Sequence, residues 1–209
     1  FHHARTRNES LLLTQFDKVI FMVQDAIPCS NRWLLDLEEA IDGDGIAAAY
    51  TGQVPHDDAG TFARFEVDSI MRFRGEVPVV QQMESLECFS RKPYAEAYRS
   101  LALDNVCAIY WKDLLVQTPF PEVDFAEDLA WAFQVMVQGH KIRYEPRIRV
   151  QHSHDRSPEY AFNRQVVNAF WCAQIMGRLR EDLSFMTLWD LFILTRWVHE
   201  RAAQRGVGR

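Results

Sequence analysis

The spacing of apolar residues along this chain switches repeatedly between strand-like and helix-like periods. Lys18–Val23 is an almost unbroken apolar run, the pattern of a strand covered on both faces. Ahead of it, Ala4–Gln15 carries helical spacing, with Leu11 and Leu12 on the inner face. Gln24–Cys29 reads as a loop broken by Pro28. Ser30 is the expected N-cap of a helix over Asn31–Ile41, whose Trp33, Leu34, Leu37 and Ile41 fall on one face. Asp42-Gly43-Asp44-Gly45 is a turn, Ile46–Tyr50 a second strand and Gly52–Gly60 a loop. A helix is expected near Phe62–Phe73, followed by an irregular stretch through Pro78. Val106–Tyr110 reads as a strand and Trp111–Val116 as a short helix. The clearest helix is Glu127–Gln138: Leu129, Ala132, Phe133 and Met136 form its apolar face and Gly139 suits the position just past its end. Ile142–Tyr144 and Ile148–Gln151 are strands around the turn Glu145-Pro146-Arg147. From Pro158 the pattern is helical to the end. The fold class implied is α/β.

Composition narrows the function classes. With 209 residues the chain is long enough for one domain or a domain plus an appendage. Its 48% hydrophobic and 25% charged residues are ordinary for a globular protein. A formal net charge of −6 argues against a nucleic-acid partner, which calls for a basic stripe. Arg5 and Arg7 are the local positive charges available for a phosphate-bearing substrate. The four cysteines, Cys29, Cys88, Cys107 and Cys172, form no metal spacing and read as free thiols of a reducing compartment. No signal peptide is visible, and no run of about 18 apolar residues exists to span a bilayer. The charged, helix-like segment at Phe1–Asn8 gives the expectation that the chain begins inside a domain.

Three polar landmarks stand at element ends. Asp25 follows the first strand, where a carboxylate can hold a hard cation such as Mg²⁺ or Mn²⁺. His152 and His154, two residues apart on a strand, point to one face shared with Ile148 and Val150. Either imidazole can ligate a metal, which Mn²⁺ tolerates better than Mg²⁺. Glu127 and Asp128 open a helix, whose dipole alone explains acidic residues there. In a catalytic role one of them would take a proton from a hydroxyl, and the dipole would keep it ionised and not unusually basic. Open α/β sheets gather their sites at such strand ends. No nucleophile elbow, Cys–His pairing or glycine-rich phosphate loop is present.

Six blocks, taken in order, resemble a known family: Phe1-His2-His3-Ala4-Arg5-Thr6-Arg7-Asn8, Phe21-Met22-Val23-Gln24-Asp25-Ala26, Gly52-Gln53-Val54-Pro55, Glu127-Asp128-Leu129-Ala130-Trp131-Ala132, Tyr144-Glu145-Pro146 and His152-Ser153-His154. They look like family-2 inverting glycosyltransferases of the GT-A fold, rhamnosyltransferase-like subgroup. The resemblance implies a partial GT-A mixed sheet flanked by helices over residues 1–155 and a helical C-terminal extension over 156–209. It implies transfer of a sugar, such as rhamnose, from a nucleotide-diphospho-sugar donor to a glycan or lipid-linked acceptor. Asp25 stands for the family's DxD metal motif, with Ala26 where many members have the second Asp. His152 would complete the metal site, with His154 as the reserve choice. Asp128 matches the general base, beside Glu127. Asn105 and Gln53 match substrate-lining positions. The family's first βαβ half, which holds the nucleotide base, precedes the block at Phe1, and its absence leaves the alternative of a non-catalytic relic or binding module. The processive-synthase QxxRW pattern is absent after residue 128.

The segment Phe185–Val198 is rich in large apolar residues yet too short to span a bilayer. Acidic and basic side chains around it balance, so no polybasic lipid face is evident. It is expected to pack on Tyr160–Leu179 or on a second subunit, with peripheral membrane contact as the other reading. The implied location is cytoplasmic or at the inner face of the cell membrane.

Overall fold

The computed structural model describes residues 2–177. The chain divides into two compact units, Phe1–Asp155 and Arg156–Arg209. The second contains, among the described residues, one helix, Pro158–Ile175, whose Ser157 side chain accepts the Tyr160 N–H at its start. The segment Phe185–Val198 lies outside the described residues. No helix among the described residues is long and apolar enough to cross a membrane.

The first unit is a mixed six-stranded sheet flanked by helices, the α/β class expected. Its strands are β1 (Lys18–Met22), β2 (Ile27–Pro28), β3 (Ile46–Val54), β4 (Val79–Gln81), β5 (Cys107–Trp111) and β6 (Lys141–Gln151). The order is β1-β5-β3-β6-β2, and β4 also pairs with β6. β3 and β6 run parallel; every other pairing is antiparallel. β1, β3 and β6 therefore point the same way, and their C-terminal ends meet at one edge of the sheet, where β5 begins.

Period-2 alternation explains the two faces of the sheet. Cys107 and Ile109 of β5 join Ile46 and Ala49 of β3, Ile148 and Val150 of β6, and Leu37, Ala40 and Ile41 of α2 (Trp33–Ile41) in one core. Tyr110 of β5 points the other way. It meets Trp131 of α7 (Glu127–Val137) at 5.2 Å between ring centroids and Phe120 at 5.5 Å, both edge-on. Such aromatic packing adds about 0.5–1.5 kcal/mol per pair beyond area burial.

Several elements differ from the sequence reading. The first helix, α1 (His3–Ser10), gives way to a 3-10 turn at Leu11–Leu13, so Leu11 is buried while Leu12 is 85% exposed. Thr14 is already extended, and only Thr14–Asp17 lie between the turn and β1, so the helix has no room to continue. The Ser30 hydroxyl accepts the Arg32 N–H at 3.1 Å in a turn, and the helix starts later, at Trp33. β3 continues through Gly52-Gln53-Val54, because β6 pairs with it that far. The segment after the helix α3 (Thr61–Arg74) holds β4, α4 (Leu86–Arg91) and α5 (Tyr94–Leu101), none of which the periodicity signalled. The helix α6 (Lys112–Gln117) is near its expected bounds.

The expected turn at Glu145-Pro146-Arg147 is a bulge inside one continuous strand. Thr51 pairs with Glu145 and Gly52 with Arg149, so Pro146, Arg147 and Ile148 have no partner on β3. A bulge is where a strand tolerates proline, since no ladder donor is required there. The bulge presses on Gly52, whose hypothetical Cβ would lie 2.9 Å from the Pro146 carbonyl oxygen. Only glycine fits that approach.

Replacing Leu37, which is fully buried, with Ala should destabilise the first unit by about 2–5 kcal/mol. Leu12→Ala should stay within about 0.5 kcal/mol. Urea unfolding of the two variants checks the contrast.

Candidate active site at the end of the sheet

Asp25 sits two residues beyond Val23, in a turn closed by the Ala26 N–H donating to the Val23 carbonyl at 3.2 Å. Ala26 itself is buried and belongs to the core under α2. The turn therefore turns one side chain inward to packing and leaves Asp25 half-buried at the sheet edge. β6, which pairs with β2 just after this turn, ends at Gln151, one residue short of His152. His152 keeps a ladder contact all the same, its N–H donating to the Val54 carbonyl at 2.9 Å. His154 follows two residues later, past the end of the strand. The two imidazoles lie edge to face, 4.7 Å between centroids.

These three residues converge. An Asp25 oxygen is 3.9 Å from His152 Nε2 and the other is 3.4 Å from His154 Nδ1. One ligand atom from each lies within 4.8 Å of the other two, a spacing that could hold a metal ion. One carboxylate oxygen with two imidazole nitrogens suits a first-row transition cation better than a cation that prefers all-oxygen ligands. Burial lowers the pKa of His152, and the adjacent His154 lowers it further. Both effects favour the neutral imidazole that a metal requires.

Beneath His152 runs a chain of buried polar groups. His152 Nδ1 is 3.0 Å from Gln53 Oε1, and Gln53 Nε2 donates to Asp104 at 2.5 Å. Asp104 also accepts from Arg74 at 2.9 Å and from the Val106 N–H at 2.9 Å. Burial works against the Asp104 charge, but Arg74 and the Val106 N–H outweigh it and hold the carboxyl below its ordinary range. Arg74 in turn stacks its guanidinium over Tyr50, 5.5 Å from the ring centroid.

The residue after Asp104 leads to the acidic pair. The Asn105 N–H donates to Asp128 at 3.4 Å, and Asn105 Oδ1 accepts the Tyr110 hydroxyl at 2.6 Å. Asn105 Nδ2 is buried with no hydrogen-bond partner among the described residues. Ala126, directly before the pair, takes the left-handed conformation at φ 60°, so the chain enters α7 through a strained joint. Glu127 forms an ion pair with Arg7 of α1, with the two side chains only 13% and 15% exposed. Among the described residues Asp128 has no ion-pair partner. Burial, reinforced by the charges of Glu127 and Asp104, pushes its carboxyl up to about 7. The helix dipole was expected to keep this group ionised and ordinary; burial and two like charges outweigh the dipole.

The expected site residues thus fall into two groups. Asp25, His152 and His154 meet at the sheet edge, with Gln53 beneath them. Arg7, Glu127, Asp128 and Asn105 meet at the start of α7. Asp104 and Asn105, adjacent in sequence, join one group to the other. Arg5 stands apart, paired at 2.7 Å with Glu122 in an exposed ion pair. Asp104, Arg74 and Tyr110 were not anticipated. The polar pair Asp104-Asn105 just ahead of a strand was a signal for the first; Arg74, at the end of an amphipathic helix, gave none.

Comparison with known proteins agrees with this architecture. Over 172 residues the chain is 26% identical to the O-antigen chain rhamnosyltransferase WbaN of Salmonella anatum and 27% identical to RfbN of Salmonella typhimurium. In sequence the chain is rhamnosyltransferase-like. Each match covers 78% of the chain and 50% of the relative, so the chain spans about half the length of these curated relatives. No family model matches. Among solved structures, the mannosyltransferase PcManGT from Pyrobaculum calidifontis, in complex with GDP-Man and Mn²⁺, superposes with a TM-score of 0.56 at 14% identity. That match covers 96% of this chain and 54% of the other, and at this identity the likeness is one of fold.

The raised Asp128 carboxyl makes a signed prediction. In the unfolded chain it ionises near its ordinary 3.8; in the fold it holds its proton up to about 7. Its contribution to stability is therefore complete below the unfolded value and is lost as pH rises through the folded one. The stability of Asp128→Asn relative to the parent chain should climb between about pH 4 and about pH 8 and then level off. Urea unfolding of both chains across that range reads it out.

Proposed function

We propose that this chain is part of an inverting, family-2 glycosyltransferase of the GT-A fold. In the whole protein it would move a sugar, rhamnose in the favoured reading, from a nucleotide-diphospho-sugar to a hydroxyl of a glycan or lipid-linked acceptor. Residues 1–155 would form the C-terminal two-thirds of the catalytic domain and residues 156–209 its extension. The observation that carries this reading is the convergence of Asp25, His152 and His154 at one end of the sheet, joined through Gln53, Asp104 and Asn105 to Asp128 at the head of α7.

Asp25, His152 and His154 would hold a divalent cation, Mg²⁺ or Mn²⁺, whose chemistry is to neutralise the leaving diphosphate. Ala26 costs the site one carboxylate relative to a DxD pair, and His154 stands where it can supply the third donor. Asp128 would take the proton of the acceptor hydroxyl. A base with a pKa near the working pH combines an ionised fraction with real proton affinity. Glu127, held ionised by its ion pair with Arg7, would raise the basicity of Asp128 through its charge and brace α1 against α7 without taking the proton itself. Arg7 so engaged is a poor candidate for gripping phosphate, and Arg5 is the freer of the two for an incoming charged group.

The test uses the full-length protein with deoxythymidine-diphospho-rhamnose and an acceptor glycan, with released nucleotide measured. Asp128→Asn should lower turnover by about a hundredfold or more while leaving Mn²⁺ binding intact. Asp25→Asn should weaken Mn²⁺ binding. Wild-type turnover in Asp128→Asn would remove the base assignment. Absence of any transfer by the intact protein, with donor still bound, would favour the non-catalytic module.

A further inference from the structure

The hydrogen bonds beneath His152 determine which of its ring nitrogens carries the proton. An ionised carboxylate only accepts hydrogen bonds. Asp104 is held ionised by Arg74 at 2.9 Å, so the Gln53 group 2.5 Å from it must be the amide NH₂. That fixes the orientation of an amide whose two ends are otherwise interchangeable. The carbonyl end then faces His152, and a carbonyl only accepts. His152 Nδ1, 3.0 Å away, must be the N–H of the ring. A neutral imidazole has a single N–H, so Nε2 is left with its lone pair exposed. Nε2 is the atom that faces Asp25.

We propose that Gln53, backed by Asp104 and Arg74, is a positioning residue that locks His152 in the Nδ1–H tautomer, with Nε2 presented to the cation site. Gln53 is suited to this task. It is 6% exposed, it lies in β3 directly after the bulge that fixes the register with β6, and both ends of its amide are engaged. Outer partners of this kind set the orientation and tautomer of metal-binding histidines. The inference rests on the metal-site reading above. It assigns to Gln53 a role beneath the site in place of the substrate contact that the sequence resemblance implied.

The test combines a metal-free and a metal-bound measurement on the chain of this sequence. With ¹⁵N-labelled histidine, and His152 assigned through His152→Gln, NMR of the metal-free chain should show a protonated Nδ1 and an unprotonated Nε2 at His152. Gln53→Met, close in volume but unable to accept from the ring, should lose that tautomer preference. Its Mn²⁺ affinity, followed by the electron paramagnetic resonance of free Mn²⁺, should fall by about 10–100-fold. Asp104→Asn, which lets the Gln53 amide turn over, should blur the tautomer in the same direction. A protonated Nε2 in the wild-type chain would overturn the inference even if Gln53→Met failed to fold. So would a folded Gln53→Met variant with unchanged tautomer and Mn²⁺ affinity. Unchanged Mn²⁺ affinity in Asp25→Asn would instead overturn the metal reading, and it is distinguishable because the wild-type tautomer would still be the one inferred.

Discussion

A carboxylate taken out of water is costly unless every oxygen is answered, and loss of one partner from a buried ion pair costs about 3–5 kcal/mol. Asp104 meets that requirement with three donors: the Arg74 guanidinium, the Gln53 amide and the Val106 N–H. Those donors come from α3, β3 and the residue just ahead of β5. The one side chain therefore ties a flanking helix to two central strands at the edge where the candidate site forms. Its neighbour Asn105 reaches Asp128 at the head of α7. Both halves of the site thus connect to this ion pair, one through Gln53 and the other through Asn105.

The same charge acts differently on the two halves. On the histidine side it fixes the Gln53 amide and so the face that His152 presents. On the acidic side it disfavours ionisation of Asp128, adding to burial and to Glu127. Glu127 and Asp128, adjacent in sequence, have different surroundings: one pairs with Arg7, the other accepts from the Asn105 and Leu129 N–H groups. Two carboxylates in unequal environments differ in charge state: Glu127 is ion-paired, while Asp128 holds its proton more tightly.

The bulge in β6 is the backbone feature on which the histidine side depends. Three residues without partners on β3 shift the register so that Gln53 stands opposite Val150 and Val54 opposite Gln151. A strand without them would place its side chains on the other face after each odd slip. Gly52 admits the Pro146 carbonyl at the point of closest approach, and the strand resumes in time to deliver His152 to the edge. Local chain chemistry, proline without a donor and glycine without a Cβ, thereby sets the geometry of a site several residues away.

Periodicity and composition determined much of this protein by themselves. The apolar run at Lys18–Val23, the helical face of Glu127–Gln138 and the alternation around Ile148–Gln151 each follow from which residues must leave water, a local property of the sequence. So does the presence of Asp25 and the histidines near strand ends. The blocks from Phe1 to His154 likewise announced the resemblance to glycosyltransferases that the curated relatives share. What the sequence left undecided depends on partners distant along the chain. Leu12 and Leu11 are equally apolar, but only the fold says which one has a neighbour. The elements between Gly75 and Leu101 are short and irregular, and β4 exists only because β6 offers it an edge. Arg74 and Asp104 look like any surface charges until folding buries them together. The pKa of Asp128, finally, is set by burial and by charges that the sheet and α7 bring within range, and no spacing of residues encodes that.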